Sequence, residues 1–481
     1  MNVNVMWRTL IFTVASPTFL VGRLHGAETD AKQAVYQLAC IRTNDQNTTR
    51  PSPHNNRLNI YALDENGQAS GPPLQMTDAQ ATHITPDGRV IRESRMGSAR
   101  TFLSTDRLLR ERIAAFGVGG TAVDFQASFP APLFLNEASA RKSLRGYLVQ
   151  HSLFDPAVHR EPGWMSLAFS MDVPHRLISL SQKLAVIKVM MEEKNISPKD
   201  KYAANYDILF LLDLATSASS LIAGSDKDRC FFQLAGDILC DGKVTFYRIR
   251  NFLSIMMGYE EETTDLAQEG GWDVCCYNIA KKNLAVLVKS DFRYQSFPHS
   301  PLLWSPDGSK LLFEGCYEPT GLDQRNNEQP GVYVYDVTTR SRIRLTNKHA
   351  REVAVCWAPD NHRFLVQVYP NRLRPEDAND RGFWVVDLGK GTASLLIPLD
   401  GRDTSPQGFY DFRDTFRWSP DGRYLAFSAN FTEAGNQYDG FFVMRDGQVG
   451  QCRLIDKARI QPRAERKGQI HRYFHNPVWL E

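Results

Sequence analysis

The sequence lacks the short motifs that mark a self-sufficient hydrolase or a zinc site. Its 8 cysteines include no C-x-x-C pair, and no G-x-S-x-G nucleophile elbow occurs in the chain. The first absence removes support for a zinc or thioredoxin-type site, and the second argues against a serine hydrolase. Histidines occur without an H-x-H or H-E-x-x-H pattern. From these patterns we predict no catalytic residues, no metal ligands and no cofactor.

The chain also has little net charge and no long apolar run beyond its N-terminus. A formal net charge of +2 over 481 residues is not the basic excess that nucleic-acid-binding proteins carry. A transmembrane helix needs about 20 apolar residues, and no segment after the N-terminal region has them. We therefore expect no nucleic-acid partner and no transmembrane segment beyond the N-terminal region. We also expect the chain to be a monomer.

The N-terminal residues resemble a secretory signal. Arg8 precedes an apolar stretch over residues 10–22, and the small residues Gly26 and Ala27 follow. This order of charged, apolar and small residues predicts a signal peptide over residues 1–27, and with it a periplasmic or secreted protein. A disordered or membrane-tethering N-terminus is the alternative.

The C-terminal half of the chain repeats a short motif. The tryptophans of this motif recur about every sixty residues, a spacing typical of propellers, in which each repeat is a small sheet. A related string near the N-terminus, TPDGRVI, has the same turn residues without the tryptophan. The copies are LWSPDG at residues 303–308, CWAPDN at 356–361, RWSPDG at 417–422, PVWL at 477–480 and TPDGRVI at 85–91.

The motif has the chemistry of a tight hairpin. Proline presets φ at the second turn position, and glycine accepts the left-handed conformation that closes the hairpin. The apolar runs on either side become two antiparallel strands, with the tryptophan packed between neighbouring sheets. Because the aspartates recur at every turn, we favour a structural role over metal binding or catalysis. The predicted structural residues are Pro86, Asp87, Gly88, Trp304, Pro306, Asp307, Gly308, Trp357, Pro359, Asp360, Trp418, Pro420, Asp421, Gly422 and Trp479.

The repeats predict an all-β protein, a single β-propeller over residues 34–481 made of four-stranded blades. A second pair of apolar runs follows each hairpin and supplies the third and fourth strands. Near the N-terminus, residues 35–41 begin a blade that lacks its first strand, whereas residues 477–481 supply a first strand alone. One blade shared by both termini would therefore close the ring. We predict seven blades, and six or eight are also compatible with the sequence.

Two stretches do not fit the repeat. We predict irregular insertions near residues 100–160 and 180–205, because the repeat is not recognisable there. Within the second stretch, residues 182–195 have helix-forming composition and are predicted to form an insertion helix. Cys230 and Cys240 could face each other across a hairpin, and a disulfide between them is left open.

The repeat strings resemble those of a known family. They are similar to the PD40 (WD40-like) repeats of TolB-like β-propellers, which also occur in oligogalacturonate lyases and in prolyl-oligopeptidase-like proteases. The resemblance implies the propeller fold, whereas function differs among propellers. The strings that carry it are LLWSPDGSKLLF at residues 302–313, VCWAPDNHRFLV at 355–366, FRWSPDGRYLAF at 416–427 and THITPDGRVIRE at 82–93.

Two functions are compatible with this resemblance. The TolB-like interpretation, which we favour, implies a non-catalytic extracytoplasmic scaffold that binds a protein or glycan partner through a rim face or the central channel. The alternative is a metal-dependent polysaccharide lyase of the oligogalacturonate type on the same fold. That enzyme would need a base and a divalent metal held by histidine and carboxylate or amide side chains. The histidines close to repeat motifs are His83, His299, His349, His362, His471 and His475.

One connection between repeats concentrates positive charge. Residues 457–472, between the last blade's fourth strand and the closing strand, contain six lysines and arginines and one glutamate. In a propeller such a connection lies at a rim near the channel mouth, where it could attract an acidic envelope or extracellular protein or an anionic glycan. A flexible solvated loop is the alternative. The predicted binding residues are Arg459, Arg463, Arg466, Lys467 and His471.

Overall fold

The computed structural model shows a chain built almost entirely of β-strands. All of the residues that it describes belong to one unit, Ala34–Glu481. The expected signal peptide over residues 1–27 lies outside them. In the described part of the chain, no helix is long and apolar enough to cross a membrane. The described residues are 36–43, 56–77, 81–84, 90–96, 99–104, 123–124, 137–160, 178–179, 184–194, 205–213, 216, 218–224, 230–237, 239–250, 271–289, 300–315, 331–346, 350–369, 381–398, 409–412, 416–446, 452–460 and 474–480.

The described strands form seven sheets, numbered here along the chain. Their neighbouring strands are antiparallel, except for one short parallel strand at the edge of sheet 1. Sheet 1 contains Phe474–Leu480, Tyr36–Thr43, Asn56–Leu63, Leu74–Thr77 and the parallel strand Val123–Asp124. Sheet 2 contains Ala81–Ile84, Val90–Met96 and Ala99–Ser104; sheet 3 contains Ile178–Ser179, Leu184–Glu192, Asn205–Asp213 and Ser219–Ala223.

Sheets 4 to 7 each have a first strand, two central strands and an outer strand, in chain order; the first strand is short in sheet 5 and divided in sheets 4 and 7. Sheet 4 contains Phe231–Gln233 with Leu239–Cys240, then Lys243–Arg250, Gly271–Asn278 and Asn283–Lys289. Sheet 5 contains Leu303–Trp304, Lys310–Gly315, Gly331–Asp336 and Arg342–Ile343, and sheet 6 contains Arg351–Trp357, Arg363–Tyr369, Gly382–Asp387 and Thr392–Pro398. Sheet 7 contains Phe409–Phe412 with Arg417–Trp418, then Tyr424–Glu433, Asn436–Arg445 and Cys452–Arg459.

The two ends of the chain meet in sheet 1. Tyr36–Thr43 pairs with Asn56–Leu63 on one side and with Phe474–Leu480 on the other. In this register Leu38 lies opposite Trp479. The first strand predicted at the C-terminus and the second strand predicted at the N-terminus therefore lie side by side in one sheet.

The hydrophobic core lies between neighbouring sheets. The first eight residues of Tyr424–Glu433 are all buried, so this central strand of sheet 7 packs on both of its faces. The ring centroid of Phe416 lies 4.4 Å from that of Phe383 in sheet 6 and 5.0 Å from that of Phe427 in sheet 7. Such aromatic contacts bury large apolar surfaces and hold one sheet against the next.

The helix predicted over residues 182–195 is wrong, because Leu184–Glu192 is a strand. Leu184–Glu192 pairs with Asn205–Asp213 along its full length. Val186, Ile187 and Val189 are buried in this strand. Burial of β-branched side chains in a sheet outweighs the helix propensity of the lysine and glutamates around them.

A helix lies instead within the stretch near residues 100–160. It spans Glu137–Gln150. Leu144 and Leu148 are buried in the same apolar cluster as Phe210 of sheet 3. The helix contacts Ser219–Ala223, the outer strand of that sheet. It therefore covers the edge of sheet 3.

The seven cysteines in the described part of the chain are free thiols. They include Cys230 and Cys240, so the disulfide left open by the sequence is not formed. Phe231–Gln233 pairs with the end of Lys243–Arg250, and Leu239–Cys240 pairs with its beginning. Cys230, which precedes Phe231–Gln233, and Cys240 therefore lie beside opposite ends of Lys243–Arg250 and do not face each other. Burial raises the pKa of the Cys240 thiol to about 11.

Candidate binding face

Three repeat turns have the conformation that their sequence predicts. Gly308 and Gly422 adopt φ values of +68° and +71°, and Asn361, which replaces glycine in the middle copy, adopts +61°. The Gly308 N–H donates to the Ser305 carbonyl at 2.8 Å and closes the turn. Glycine and asparagine are the residues that best tolerate this left-handed region. The fourth predicted turn, at residues 86–88, lies outside the described residues.

The aspartates of these turns bond to the turns themselves. The Asp307 carboxylate accepts hydrogen bonds from the Ser305 hydroxyl at 2.6 Å and from the Ser309 N–H at 3.0 Å. The Asp421 carboxylate accepts the equivalent bond from the Ser419 hydroxyl at 2.7 Å. The Ser305 bond is the main reason that the pKa of Asp307 falls to about 2. This geometry supports the structural role predicted for the repeated aspartates.

Three of the repeat tryptophans, Trp304, Trp357 and Trp479, hydrogen-bond to the preceding sheet, whereas the buried Trp418 Nε1 has no hydrogen-bond partner in the described part of the chain. Trp304 of sheet 5 donates its Nε1–H to the Thr245 hydroxyl of sheet 4 at 2.9 Å. Each such indole links its own sheet to the preceding one, and its N–H is satisfied in a buried position. The same contact recurs from Trp357 to the Leu303 carbonyl and from Trp479 to the Arg417 carbonyl, each at 2.9 Å.

Contacts at and beside the repeat turns show that the turns of sheets 5, 6 and 7 lie at the same end as the beginning of Tyr36–Thr43 in sheet 1. The Tyr36 hydroxyl of sheet 1 donates to the Asp421 carboxylate in the turn of sheet 7 at 2.6 Å. We call this end of sheets 5, 6, 7 and 1 the turn end. The equivalent contacts are the Asp307 N–H donating to the Asn361 side chain at 2.9 Å, which joins sheets 5 and 6, and the Arg363 guanidinium 5.4 Å from the Trp418 ring centroid, which joins sheets 6 and 7.

The opposite end of these sheets receives the longer connections, and we call it the connection end. Because neighbouring strands run antiparallel, the links from second to third strand, and from fourth strand to the next sheet, both leave from this end. Binding residues lie disproportionately on such loops. The longer links of these two kinds are residues 44–55, 193–204, 251–270, 290–302, 316–330, 370–381 and 461–473, whereas the second and third strands of sheet 7 are joined by residues 434–435 alone.

Buried aspartates at the connection end hold neighbouring sheets together. Asp207 in sheet 3 accepts a hydrogen bond from the Phe232 N–H of sheet 4 at 2.9 Å. Asp439 in sheet 7 accepts one from the Phe474 N–H of sheet 1 at 3.0 Å. Burial raises the pKa of Asp207, although Lys188 Nζ lies 3.3 Å from its carboxylate. Both carboxylates are engaged between sheets, which is a structural role.

A charged cluster lies where sheets 7 and 1 meet, and we call its members Arg42, Tyr61 and Asp456 the seam cluster. Arg42 Nη1 lies 3.0 Å from the Asp456 carboxylate, and the Tyr61 hydroxyl donates to the same carboxylate at 2.7 Å. The Arg42 guanidinium also lies 5.5 Å from the ring centroid of Phe474, the first residue after the basic connection. Part of the cluster reaches solvent, since the Arg42 side chain is 26% exposed.

Of the predicted binding residues, Arg459 alone lies in the described part of the chain. It is exposed at the connection end of Cys452–Arg459, and its Nη2 donates to the Asn436 side chain at 2.7 Å. Lys457, two residues earlier, forms an ion pair with Glu433. The basic connection thus leaves sheet 7 and enters sheet 1 at the connection end. The other four predicted residues, Arg463, Arg466, Lys467 and His471, lie outside the described residues.

The seam cluster and the buried aspartates are not among the residues predicted from the sequence. The sequence does contain a pattern that could have pointed to the aspartates: Asp207, Asp273 and Asp439 each follow an aromatic residue near the beginning of a third strand. Arg42 and Asp456 carry no comparable signal. They come together only because the two ends of the chain pair in sheet 1.

The histidines considered for a metal site are widely placed. In the described part of the chain, no group of three or more His, Cys, Asp or Glu side chains could hold an ion. His362 lies in the turn of sheet 6, where its backbone N–H donates to the Asp360 carboxylate at 2.9 Å. His83 and His475 belong to strands of sheets 2 and 1. The remaining candidates, His299, His349 and His471, lie outside the described residues.

Comparison with known proteins gives structural similarities only. No protein-family model and no curated protein matches the chain. TolB from Acinetobacter baumannii is similar at 12% identity over 81% of this chain and 81% of that chain, with a TM-score of 0.30. An oligogalacturonate lyase from Vibrio parahaemolyticus is similar at 10% identity over 78% of this chain and 76% of that chain, with a TM-score of 0.41. A prolyl endopeptidase is similar at 10% identity over 80% of this chain and 51% of that chain, with a TM-score of 0.34. All three TM-scores are low, and the sheets of this chain are the stronger evidence for its fold.

Proposed function

We propose that the chain is a seven-bladed β-propeller that acts as a non-catalytic scaffold outside the cytoplasm. The observation that carries the proposal is the pairing of Phe474–Leu480 with Tyr36–Thr43, since one blade completed by both of these segments would close the ring. Sheets 4 to 7 have the strand order of propeller blades. The contacts at the turn end of sheets 5, 6, 7 and 1 are those that radially packed blades would make.

The proposed partner is an acidic envelope or extracellular protein, or an anionic glycan, bound at the connection end. Three features support this choice. The strand ends joined by the longer links lie there, the strands on either side of the basic connection end and begin there, and Arg459 is exposed there. The expected signal peptide over residues 1–27 supports a periplasmic or secreted location.

Charge reversal tests the partner surface. The triple variant Arg463→Glu, Arg466→Glu and Lys467→Glu should bind immobilised polygalacturonate, or an acidic protein recovered from envelope extract, at least about tenfold more weakly than the wild type. Wild-type binding should also weaken with salt, because the Debye length falls from about 10 Å at 0.1 M to about 3 Å at 1 M. The control reverses two exposed cations elsewhere, Lys142→Glu on the helix and Arg340→Glu at the turn end of sheet 5, and should bind like the wild type. Equal binding by the triple variant and the wild type would show that the basic connection does not bind the partner.

The same purified proteins can be used to distinguish the scaffold function from the lyase function. Incubation with polygalacturonate, followed by ultraviolet detection of unsaturated products, measures lyase activity. Metal analysis of the purified protein is carried out in parallel. Binding without product formation supports the scaffold. A stoichiometric divalent metal together with unsaturated products would contradict the scaffold function and support the lyase function.

A further inference from the structure

The outer strand of sheet 4, Asn283–Lys289, is both apolar and exposed. Its first four residues are exposed, including Leu284 at 37% and Val286 at 44%. Its inner side pairs with Gly271–Asn278, and no strand in the described part of the chain pairs with its outer side. An edge with unpaired N–H and C=O groups and apolar side chains is a template for another strand.

The outer edges of sheets 1, 3, 5, 6 and 7 are each protected by a different device. Proteins block sheet edges with added strands, covering helices, very short strands, prolines or charges. Sheet 1 also shows that this chain accepts an added strand at an outer edge. The devices are Val123–Asp124 against Leu74–Thr77 in sheet 1, the helix Glu137–Gln150 in sheet 3, the two-residue strand Arg342–Ile343 in sheet 5, Pro398 in sheet 6, and Arg453, Asp456, Lys457 and Arg459 in sheet 7.

The outer strand of sheet 4 carries its positive charge only at its ends, and residues 283–288 between them are uncharged. Lys281 and Lys282 lie in the turn before the strand, Lys289 is its last residue, and all three are exposed. Within the described residues, none of these lysines has a carboxylate partner. Asp273 lies opposite Lys289 in the register, but its carboxylate is buried and bonded by Arg248 Nη2 at 2.7 Å. The edge therefore presents an apolar centre between two cationic ends.

We propose that Asn283–Lys289 is a docking site for an extended segment of a partner protein, with an apolar centre and acidic ends, that adds a strand to sheet 4. Main-chain hydrogen bonds to the edge provide affinity in this mode of recognition, and alternate side chains provide specificity. Apolar residues of the segment would cover Leu284 and Val286. Acidic residues at its ends would meet the lysines. The site does not depend on the basic connection or on its proposed partner.

A designed peptide pair tests the site. The probe is the fluorescein-labelled peptide EETVTVTVEE, and the control is KKTVTVTVKK. Fluorescence anisotropy at low salt should give saturable binding of the acidic peptide and at least about tenfold weaker binding of the basic one. Hydrogen exchange should slow in Asn283–Lys289 when the acidic peptide is bound. Slowing confined to another sheet edge would overturn the proposal.

Substitutions make the test specific to this edge. The triple variant Lys281→Glu, Lys282→Glu and Lys289→Glu should bind the acidic peptide at least about tenfold more weakly. Arg340→Glu is the matched control, because Arg340 has φ of +57° in the equivalent turn of sheet 5 and Lys282 has φ of +50°. Unchanged binding by the triple variant would overturn the proposal. A concentration-dependent dimer in analytical ultracentrifugation that Leu284→Glu dissolves would also overturn it, since the edge would then receive a second copy of this chain.

Discussion

At the scale of single residues, one position in each repeat turn decides its geometry. Gly308, Gly422 and Asn361 all occupy the left-handed region there. Asparagine tolerates this region because its short polar side chain bonds locally. The Asn361 side chain also accepts the Asp307 N–H of the preceding sheet at 2.9 Å. Asparagine at this position therefore retains the turn and adds a contact between sheets that glycine cannot make.

Asp307 should make the stability of its turn depend on pH. Hydrogen bonds from Ser305 and Ser309 lower its pKa from 3.8 to about 2. A folded-state pKa below the unfolded one stabilises the protein above about pH 4, and this contribution is lost as the pH falls towards about 2. We expect Asp307→Asn to lower the Tm at neutral pH, and the difference from the wild type to shrink across that window. Calorimetric melting at a series of pH values measures it.

Asn361→Gly is the control for this prediction. It removes a contact to the Asp307 backbone and leaves the carboxylate with its serine partners. Its Tm difference from the wild type should stay nearly constant over the same pH window. A constant Tm difference for Asp307→Asn would contradict the role assigned to the carboxylate.

At the scale of elements, the indole contacts tie the first strand of one sheet to the preceding sheet. Thr245 is fully buried, and its hydroxyl accepts the Trp304 Nε1–H. Thr245→Val should lower the free energy of unfolding by about 1–3 kcal/mol, because it leaves a buried donor without its acceptor. Thr245→Ser retains the hydroxyl and should lower the free energy of unfolding by less. Urea denaturation followed by tryptophan fluorescence compares the two variants, and an equal loss in both would mean that packing, not the hydrogen bond, is responsible.

The elements that follow from the sequence are those fixed by local chemistry. The hairpin around residues 305–308 follows from its own turn residues, which set φ without help from distant parts of the chain. The strand Leu184–Glu192 could not be predicted in this way, because its conformation depends on pairing with Asn205–Asp213. For the same reason the candidate site is only partly predictable. The charge of the basic connection is visible in the sequence, whereas the contact between Arg42 and Asp456 exists only once the chain ends pair.

At the scale of the whole molecule, sheet 1 differs from the other sheets because it joins residues from both ends of the chain. Pairing of Tyr36–Thr43 with Phe474–Leu480 closes a very long stretch of chain, and such non-local pairing costs entropy before its contacts form. The hydrogen bond from Trp479 to the Arg417 carbonyl and the contacts within the seam cluster then offset this entropy cost. We therefore expect sheet 1 to be the first sheet to open under stress.

Removal of residues 474–481 should open this seam selectively. The deletion would leave Tyr36–Thr43 as an edge strand and uncover Cys40, which is fully buried and whose thiol pKa is raised by burial. Iodoacetamide labelling analysed by mass spectrometry should therefore modify Cys40 much faster in the truncated chain than in the full chain. Cys275, fully buried in sheet 4, is the internal control and should stay protected.

Two further samples decide how that result is interpreted. Deletion of Glu481 alone should leave Cys40 protected, because the pairing strand ends at Leu480. A synthetic peptide of residues 474–481 added to the truncated chain should restore protection, since it supplies the missing strand. Equal labelling of Cys40 and Cys275 in the truncated chain would indicate general unfolding. Continued protection of Cys40 would show that the terminal strand does not hold sheet 1 together.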